Sequence, residues 1–492
     1  MRKSPLADLS FSAALALAAL SAPAHADNNT AEETAASEPA ASSADIDAAL
    51  VPVVSFKGEE ASRLSLTQRR EELGAQAASV AVMLDGEIAW ARAYGEGVDE
   101  ETLFQLASLS KTVASAGIIA LALEKGVGLD QDISGSLTGL DLARLNPDGL
   151  PITLRALLSH TNGTTVSGFP GYLMSDDVPS AIEVIEGTGP TNTKPVIVRP
   201  NPNGDRRYSG GGYTLAQHWA EVVSGEAFSS VMRRLVLDPV GMDRSTFASG
   251  TAETFARDNV ARGFQYSGEV IPGGWRIHPE QAAASLWSTP REYLRFVRAL
   301  LMAMDGDGSA GIDPAVAQAM TKPIANEYGL GIGVAEINGA IRLSHSGSNR
   351  GYKSNFMAYP ATGDAVISVV NSDRGFALVG DIGRTANRVY GWPIRTILER
   401  TRLAATPEDA AALVGDYSET GESKTAFTLT AELPVLVGTS PTGFRFELVK
   451  TGEMTFIDPQ DGQEGTFVTG EAGNVSITFG GTTYVKVTNA KT

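Results

Sequence analysis

Residues 108–126 read SLSKTVASAGIIALALEKG, and this stretch decides the fold. Ser108 and Lys111 stand three apart, so on a helix they share a face. From Val113 to Leu123 there is almost no polar residue. Lys125 then suits the negative end of a helix and Gly126 a C-cap. A helix apolar all round is buried in a large protein, and this run is shorter than the roughly 20 apolar residues of a membrane span. Ser108 therefore heads a buried central helix, where free backbone N–H groups can stabilise an anion. A serine hydroxyl is a weak nucleophile without a nearby base. A lysine is such a base when burial lowers its pKa from about 10.4. Taken alone, the tetrad is equally satisfied by an N-cap serine followed by a solvated lysine.

The chain around it has 492 residues, 43% of them hydrophobic, enough for one large or several ordinary domains. Its net charge of −18 argues against nucleic acid and anionic membranes as partners. Cysteine is absent, which removes disulfides, a thiol nucleophile and thiolate metal sites. The five histidines are scattered, so no histidine-rich metal centre is expected. Arg2-Lys3, the apolar run Leu9–Leu20 and Ala24-His25-Ala26 form a signal-peptide pattern. Residues 1–26 are thus expected to be a cleaved signal, with a periplasmic or secreted product and no membrane span in the mature chain. Residues 27–49 carry one large apolar residue, Ile46, and are expected to be a disordered linker.

Ser79–Leu84 and Glu87–Ala93 flank Asp85-Gly86, the pattern of a β-hairpin. Thr153 caps a short helix through Ser159. Residues 166–207 are rich in Pro and Gly and poor in periodicity, as in a binding loop or lid, or else a surface excursion. Phe169 and Tyr172 in it could line an apolar pocket. Helices follow at Thr214–Val223, Phe228–Leu237 and Arg291–Met302, strands at Ile341–Ser344, Ser354–Tyr359 and Ala365–Val370, and a helix at Asp381–Tyr390. Beyond about residue 404, short strands alternate with turns, and Val475, Ile477 and Phe479 show the period of two of a half-buried strand.

Two further motifs complete a site. Tyr208-Ser209-Gly210 precedes an apolar helix, and a tyrosine beside a buried lysine can relay protons. Tyr-Ser recurs at Tyr266-Ser267 and Tyr417-Ser418, but in a polar hairpin-like stretch and in the C-terminal module. His345-Ser346-Gly347 ends one strand, and the small Gly347 would let a substrate backbone lie along a strand edge. His160 reads as a structural turn residue. Arg350 or Lys353 could meet a substrate carboxylate, or be solvated loop charges.

These three motifs, in this order, resemble those of the penicillin-recognising serine hydrolases, which include class C β-lactamases, D-alanyl-D-alanine carboxypeptidases, D-aminopeptidases and β-lactamase-like esterases. ITLRALLSHTNG (152–163), YSGGGYTLAQ (208–217), LDPVGM (237–242) and YGLGIGV (328–334) strengthen the resemblance. It implies an α/β fold, a β-lactamase/transpeptidase-like domain with an antiparallel sheet flanked by helices plus an all-helical subdomain, over residues 50–403. Residues 404–492 resemble the lipocalin-like barrels appended to some members. By the resemblance Ser108 is the acylated nucleophile, Lys111 its base and Tyr208 the proton relay. His345 takes the place of the lysine or histidine of the third motif, and the oxyanion hole is the N–H groups of Ser108 and Ser348. Gly210, Ser346, Gly347, Phe169, Tyr172 and Arg350 are the candidate substrate contacts, and no cofactor or metal is implied. Gly210 stands where the β-lactamases and peptidases usually carry an asparagine for the substrate amide. That departure, with His345 in place of the lysine of most β-lactamases, weakens a β-lactamase reading and favours an esterase, or a peptidase with altered amide recognition, acting on a small-molecule ester or short peptide. A D-amino-acid peptidase, a weak β-lactamase and a non-catalytic binder of peptidoglycan fragments or β-lactams are the alternatives.

Overall fold

The computed structural model describes residues 43–59, 63–250, 259–393, 397–420, 424–441, 443–470, 474–479 and 481–487. The expected signal and most of the expected linker lie outside these. The described residues form two compact units, one spanning Leu64–Arg388 with a short return near residue 392, the other holding those from 397 onward together with those between 43 and 63 and 389–391.

The first unit is built on six strands: β1 (Ala77–Leu84), β2 (Glu87–Gly95), β3 (Gly333–Ile337), β4 (Ala340–Asn349), β5 (Tyr352–Tyr359) and β6 (Asp364–Val370). They form one antiparallel sheet in the order β2-β1-β6-β5-β4-β3. The central strands β1 and β6 are buried along nearly their whole length, which is why they read as continuous apolar runs rather than alternating ones. The β1–β2 turn is the expected Asp85-Gly86, with φ of 51° and 78°, the double positive φ that a tight hairpin requires.

Four long helices carry the rest: α1 (Ser110–Lys125), α2 (Gly210–Ser224), α3 (Pro290–Met304) and α4 (Phe376–Val389). α1 ends on Gly126 in the left-handed conformation, as its sequence predicts. With the turn before it, the helix reaches 19 residues, enough by length and apolarity to cross a membrane. However, 78% of that window is buried inside the unit, so it is a core helix. α3 starts with the Thr289 side chain accepting the Glu292 N–H and Pro290 in the first turn. Residues 166–207 are more built than a bare loop. They contain a short helix, Ala181–Glu186, and bury Tyr172, Val184, Ile185, Val196 and Val198.

The second unit is a closed eight-stranded antiparallel barrel running from Gly415–Glu419 to Thr482–Lys486, its last strand pairing with its first. Tyr417, Phe427, Leu429, Leu436, Leu448, Phe456, Phe467 and Ile477 fill its interior. At eight strands such a lumen is just wide enough for side chains. Residues 50–59 and 397–403 belong to this unit rather than to the hydrolase unit expected over 50–403. Val54–Phe56 pairs with Leu398–Arg400, and Val53, Val54, Phe56 and Leu398 pack on Val435, Val449 and Ile457. The final part of the expected linker is also ordered. Ser43–Ala48 is a helix, held by the complete burial of Ile46, its one large apolar side chain.

Candidate active site

The nucleophile candidate sits on a strained turn. Ala107–Leu109 is a single 3₁₀ turn leading into α1, and Ala107 has φ +51°, a conformation costing an L-residue about 1–3 kcal/mol. Neighbours impose it. The Ser110 hydroxyl donates to the Ala107 carbonyl and accepts the Leu286 N–H, while Ser354 Oγ donates to the Leu106 carbonyl at 2.8 Å. Gly347 completes the brace. A Cβ there would lie 2.4 Å from the Leu106 oxygen and 3.1 Å from Ala107 Cβ. The absence of a side chain at Gly347 thus lets the nucleophile turn press on β4. The edge is one-sided at the same place: pairing of β4 to β3 stops at Ser344, and residues 345–349, Gly347 among them, pair with β5 alone.

Ser108 is half-buried and Lys111 is 2% exposed. Lys111 Nζ donates to Ser108 Oγ at 3.1 Å and to the Ala283 carbonyl at 2.7 Å. The spacing of three residues thus brings the two groups into contact, as the sequence predicts. The Ala283 carbonyl, from the four-residue helix Gln281–Ala284, holds the amine from behind.

Aromatic rings wall the lysine. Nζ lies 5.0 Å from the Tyr208 ring centre and 5.6 Å from that of Tyr213. Tyr213 donates its hydroxyl to the Leu158 carbonyl at 2.8 Å and lies 3.0 Å from Ser115 Oγ. Burial pushes its pKa up, so it is committed as structure. The other Tyr-Ser sites are elsewhere. Tyr417 is in the barrel core, donating to Leu413 at 2.7 Å, and Tyr266 lies within electrostatic reach of Asp373 and Arg350. Of the three, the structure brings Tyr208 to Lys111.

His160 does more than fill a turn. Its ring lies 4.4 Å from Tyr208, and its Nδ1 accepts the Ser209 N–H at 3.1 Å. Burial, reinforced by the charges of Arg206 and Lys111, holds it far below its ordinary pKa of 6.5. Its ring packs against that of Tyr208 while its Nδ1 holds the next residue, Ser209. Ser209 caps α2 by accepting the Gly212 N–H.

His345 lies 6.3 Å, ring to ring, from Tyr208. Its Nδ1 is 2.7 Å from the Ser346 carbonyl and its Nε2 3.0 Å from the Tyr328 hydroxyl. A carbonyl only accepts, so Nδ1 carries the proton and Nε2 accepts from Tyr328. Burial, then the positive charge of Lys111, pushes its pKa down to about 3. His345 is therefore neutral and does not supply the positive charge that lysine brings to a third motif.

The substrate-contact expectations divide. Ser346 uses its carbonyl on His345, and Ser348 is exposed on β4. Tyr172 is corrected: it is 2% exposed, its hydroxyl bonded to Thr191 and the Asn192 N–H, so it lines no pocket. Lys353 is corrected too, being buried in an ion pair with Asp373 at 3.1 Å. Arg350 lies within electrostatic reach of Lys353 and Tyr266. Phe169 does face the site region, but in an unforeseen way. A Cβ on Gly210 would fall 2.7 Å from Phe169 Cε2 and 3.3 Å from Cδ2. The ring stands where a second-motif side chain would begin.

Sequence reading missed Tyr328 and Arg206. The Arg206 guanidinium carbon lies 4.2 Å from the Tyr328 ring centre and 5.9 Å from that of Tyr208. Only its place two residues before Tyr208 could have signalled it. Among the described residues no cluster of three or more His, Cys, Asp or Glu could hold a metal.

Known proteins share this arrangement of elements. The octameric penicillin-binding protein homologue from Pyrococcus abyssi superposes with a TM-score of 0.57 at 18% identity, covering 85% of this chain and 97% of that one. The D-amino acid amidase from Ochrobactrum anthropi SV3 gives 0.53 at 23% identity, covering 66% and 96%. In sequence, Protein Rv1367c from Mycobacterium tuberculosis (strain ATCC 25618 / H37Rv) is 28% identical over 243 residues, 44% of this chain and 57% of that protein. The match thus spans little more than half of that relative's length. The family model described as Beta-lactamase matches residues 65–390, about two thirds of the chain and nearly all of the unit that holds Ser108, Lys111 and Tyr208, and the chain belongs to that family.

Proposed function

We propose that the protein is a serine hydrolase that cleaves carboxylic esters through an acyl-enzyme on Ser108. Lys111 is the base that takes the Ser108 proton as Oγ attacks the ester carbonyl. The tetrahedral oxyanion is held by the N–H groups of Ser108 and Ser348, each such donor being worth about 10²–10³ in rate. Tyr208, over whose ring Lys111 sits, passes the proton to the departing alkoxide, which leaves as the alcohol. Water then attacks the acyl-enzyme along the reverse proton route, releasing the acid and restoring Ser108.

The observation that carries the ester preference is the Phe169 ring over Gly210. An amide substrate needs a partner for its own polar group, and a polar group desolvated without one costs about 1–3 kcal/mol. An aromatic wall in that position offers none, whereas an ester oxygen asks for less. A second reading is a D-amino-acid amidase or peptidase. It is favoured by the one-sided edge of β4 at 345–349, along which an extended backbone could add.

The test is intact-mass spectrometry and absorbance with wild type and Ser108→Ala. Each is mixed with a short acyl nitrophenyl ester, a D-Ala-D-Ala peptide and a penicillin. Ester turnover lost in Ser108→Ala, with little on the peptide, is the expected result. Turnover of the peptide alone would replace the first reading by the second. A lasting penicillin adduct without turnover of either would make the protein a binder.

A further inference from the structure

We infer that Arg206 is a specificity residue that binds a carboxylate on the substrate, so that the natural ester carries a free acid group close to the scissile bond; this rests on the proposed hydrolase site. Three observations converge on it. First, Arg206 is a cation without a protein counter-charge. Acidic residues outnumber basic ones 57 to 39 in this chain, and other arginines use them: Arg155 pairs with Asp130, Arg234 with Glu124 and Glu226, and Arg384 with Asp381. Among the described residues Arg206 has no ion pair, and its half-buried side chain keeps Nε without an acceptor. Removing a guanidinium from water and leaving it unpaired is unfavourable, so an anion supplied from outside would be bound with gain.

Second, it is aimed at the catalytic cluster. The guanidinium is stacked on Tyr328 and lies beside Tyr208, and its charge is felt at His160 and His345. A planar guanidinium braced on a ring is well placed for two-point bonding to a carboxylate. Third, of the two cations whose charge reaches both His160 and His345, Arg206 and Lys111, the lysine is otherwise engaged. Lys111 is bonded to Ser108 and Ala283, Lys353 is locked to Asp373, and His345 is neutral. Arg206 thus restores, from just before the second motif, the positive charge missing from the third.

The experiment compares wild type, Arg206→Gln and Arg206→Lys on two matched pairs of phenyl esters. One pair places the carboxylate on the leaving group (3-acetoxybenzoate against phenyl acetate), the other on the acyl chain (monophenyl glutarate against phenyl valerate). The readout is the ratio of kcat/KM for the charged over the neutral ester, which cancels any general effect on Tyr208. In Arg206→Gln the ratio is expected to fall about tenfold or more in one pair, with Arg206→Lys retaining part of it. The pair that responds tells which side of the bond bears the acid. Ratios unchanged in both pairs, with turnover still dependent on Ser108, would overturn the inference and leave the hydrolase standing. No Ser108-dependent turnover of any ester would overturn both.

Discussion

Replacing Gly210 by asparagine tests how the site treats amides. In a family where asparagine is usual at this position, the simplest expectation is that Gly210→Asn restores amide binding. The structure predicts otherwise. A new Cβ would lie 2.7 Å from Phe169 Cε2, closer than real Cβ atoms come, and a tight 3.3 Å from the Ser167 carbonyl. Phe169 packs against the core, so its ring cannot simply swing aside. Overpacking of this kind costs about 1–3 kcal/mol. Phe169→Ala alone removes a partly buried ring and is expected to cost about 2 kcal/mol, below the range for a fully buried phenylalanine. In the double variant the clash with the ring is gone, and only the tight approach to the Ser167 carbonyl remains. Its cost should approach that of Phe169→Ala, leaving a coupling of about 1–2 kcal/mol between the two sites. Urea unfolding followed by tryptophan fluorescence is the assay, because all five tryptophans (Trp90, Trp219, Trp275, Trp287, Trp392) lie in the hydrolase unit and the barrel is silent. Alongside it, the anilide-to-ester ratio of kcat/KM should rise about tenfold in the double variant, the worth of one added hydrogen bond. Additive costs would refute the claim that Phe169 occupies this space. Coupled costs with an unchanged ratio would refute the account of amide rejection.

Other outcomes are expected. Tyr208→Phe should lower kcat by about 10²–10⁴ with circular dichroism unchanged, whereas Tyr266→Phe should not, and the reverse result would place the relay at Tyr266. Lys353→Met should destabilise the hydrolase unit by about 3–5 kcal/mol, because it leaves the buried Asp373 unpaired; normal stability with a raised KM would return Lys353 to the substrate. Glu280 is fully buried with neither carboxylate oxygen bonded among the described residues, and burial pushes its pKa from 4.5 up to about 8. Its contribution is fully present below the unfolded value and is lost as pH rises through the folded one, at up to about 1.4 kcal/mol per pH unit. The stability of wild type relative to Glu280→Gln should therefore fall between about pH 5 and about pH 8, read from urea midpoints, and a flat difference would show the group ionised when folded. Buried neutral His278 and His345, each pushed down to about 3, act in the opposite sense. Their contribution is present above 6.5 and lost as pH falls toward 3, so the difference between variants, not the raw curve, is the measurement.

Much of this molecule follows from local rules that act along the chain. Helix α1 was legible because an apolar run ended by Lys125-Gly126 has one economical solution, burial as a central helix. The hairpin at Asp85-Gly86 was legible because few dipeptides accept two positive φ values. Ser108 and Lys111 met because helical spacing alone brings residues three apart together, and the short strands after residue 404 announced an all-β module by their period of two. What stayed hidden depends on residues distant in sequence meeting in space. The role of Gly347 is set by the approach of Leu106 and Ala107, and that of Gly210 by a ring 41 positions earlier. Neither glycine differs in sequence from one that merely bends a chain. The charge of His345 is decided by burial and by Lys111, and the freedom of Arg206 by which acids happen to lie out of reach. Sequence determines the backbone path and the candidate chemistry because those rest on near-neighbour sterics and periodicity. Space, charge state and partner choice belong to tertiary structure, because each is a property of what the fold brings within a few ångströms.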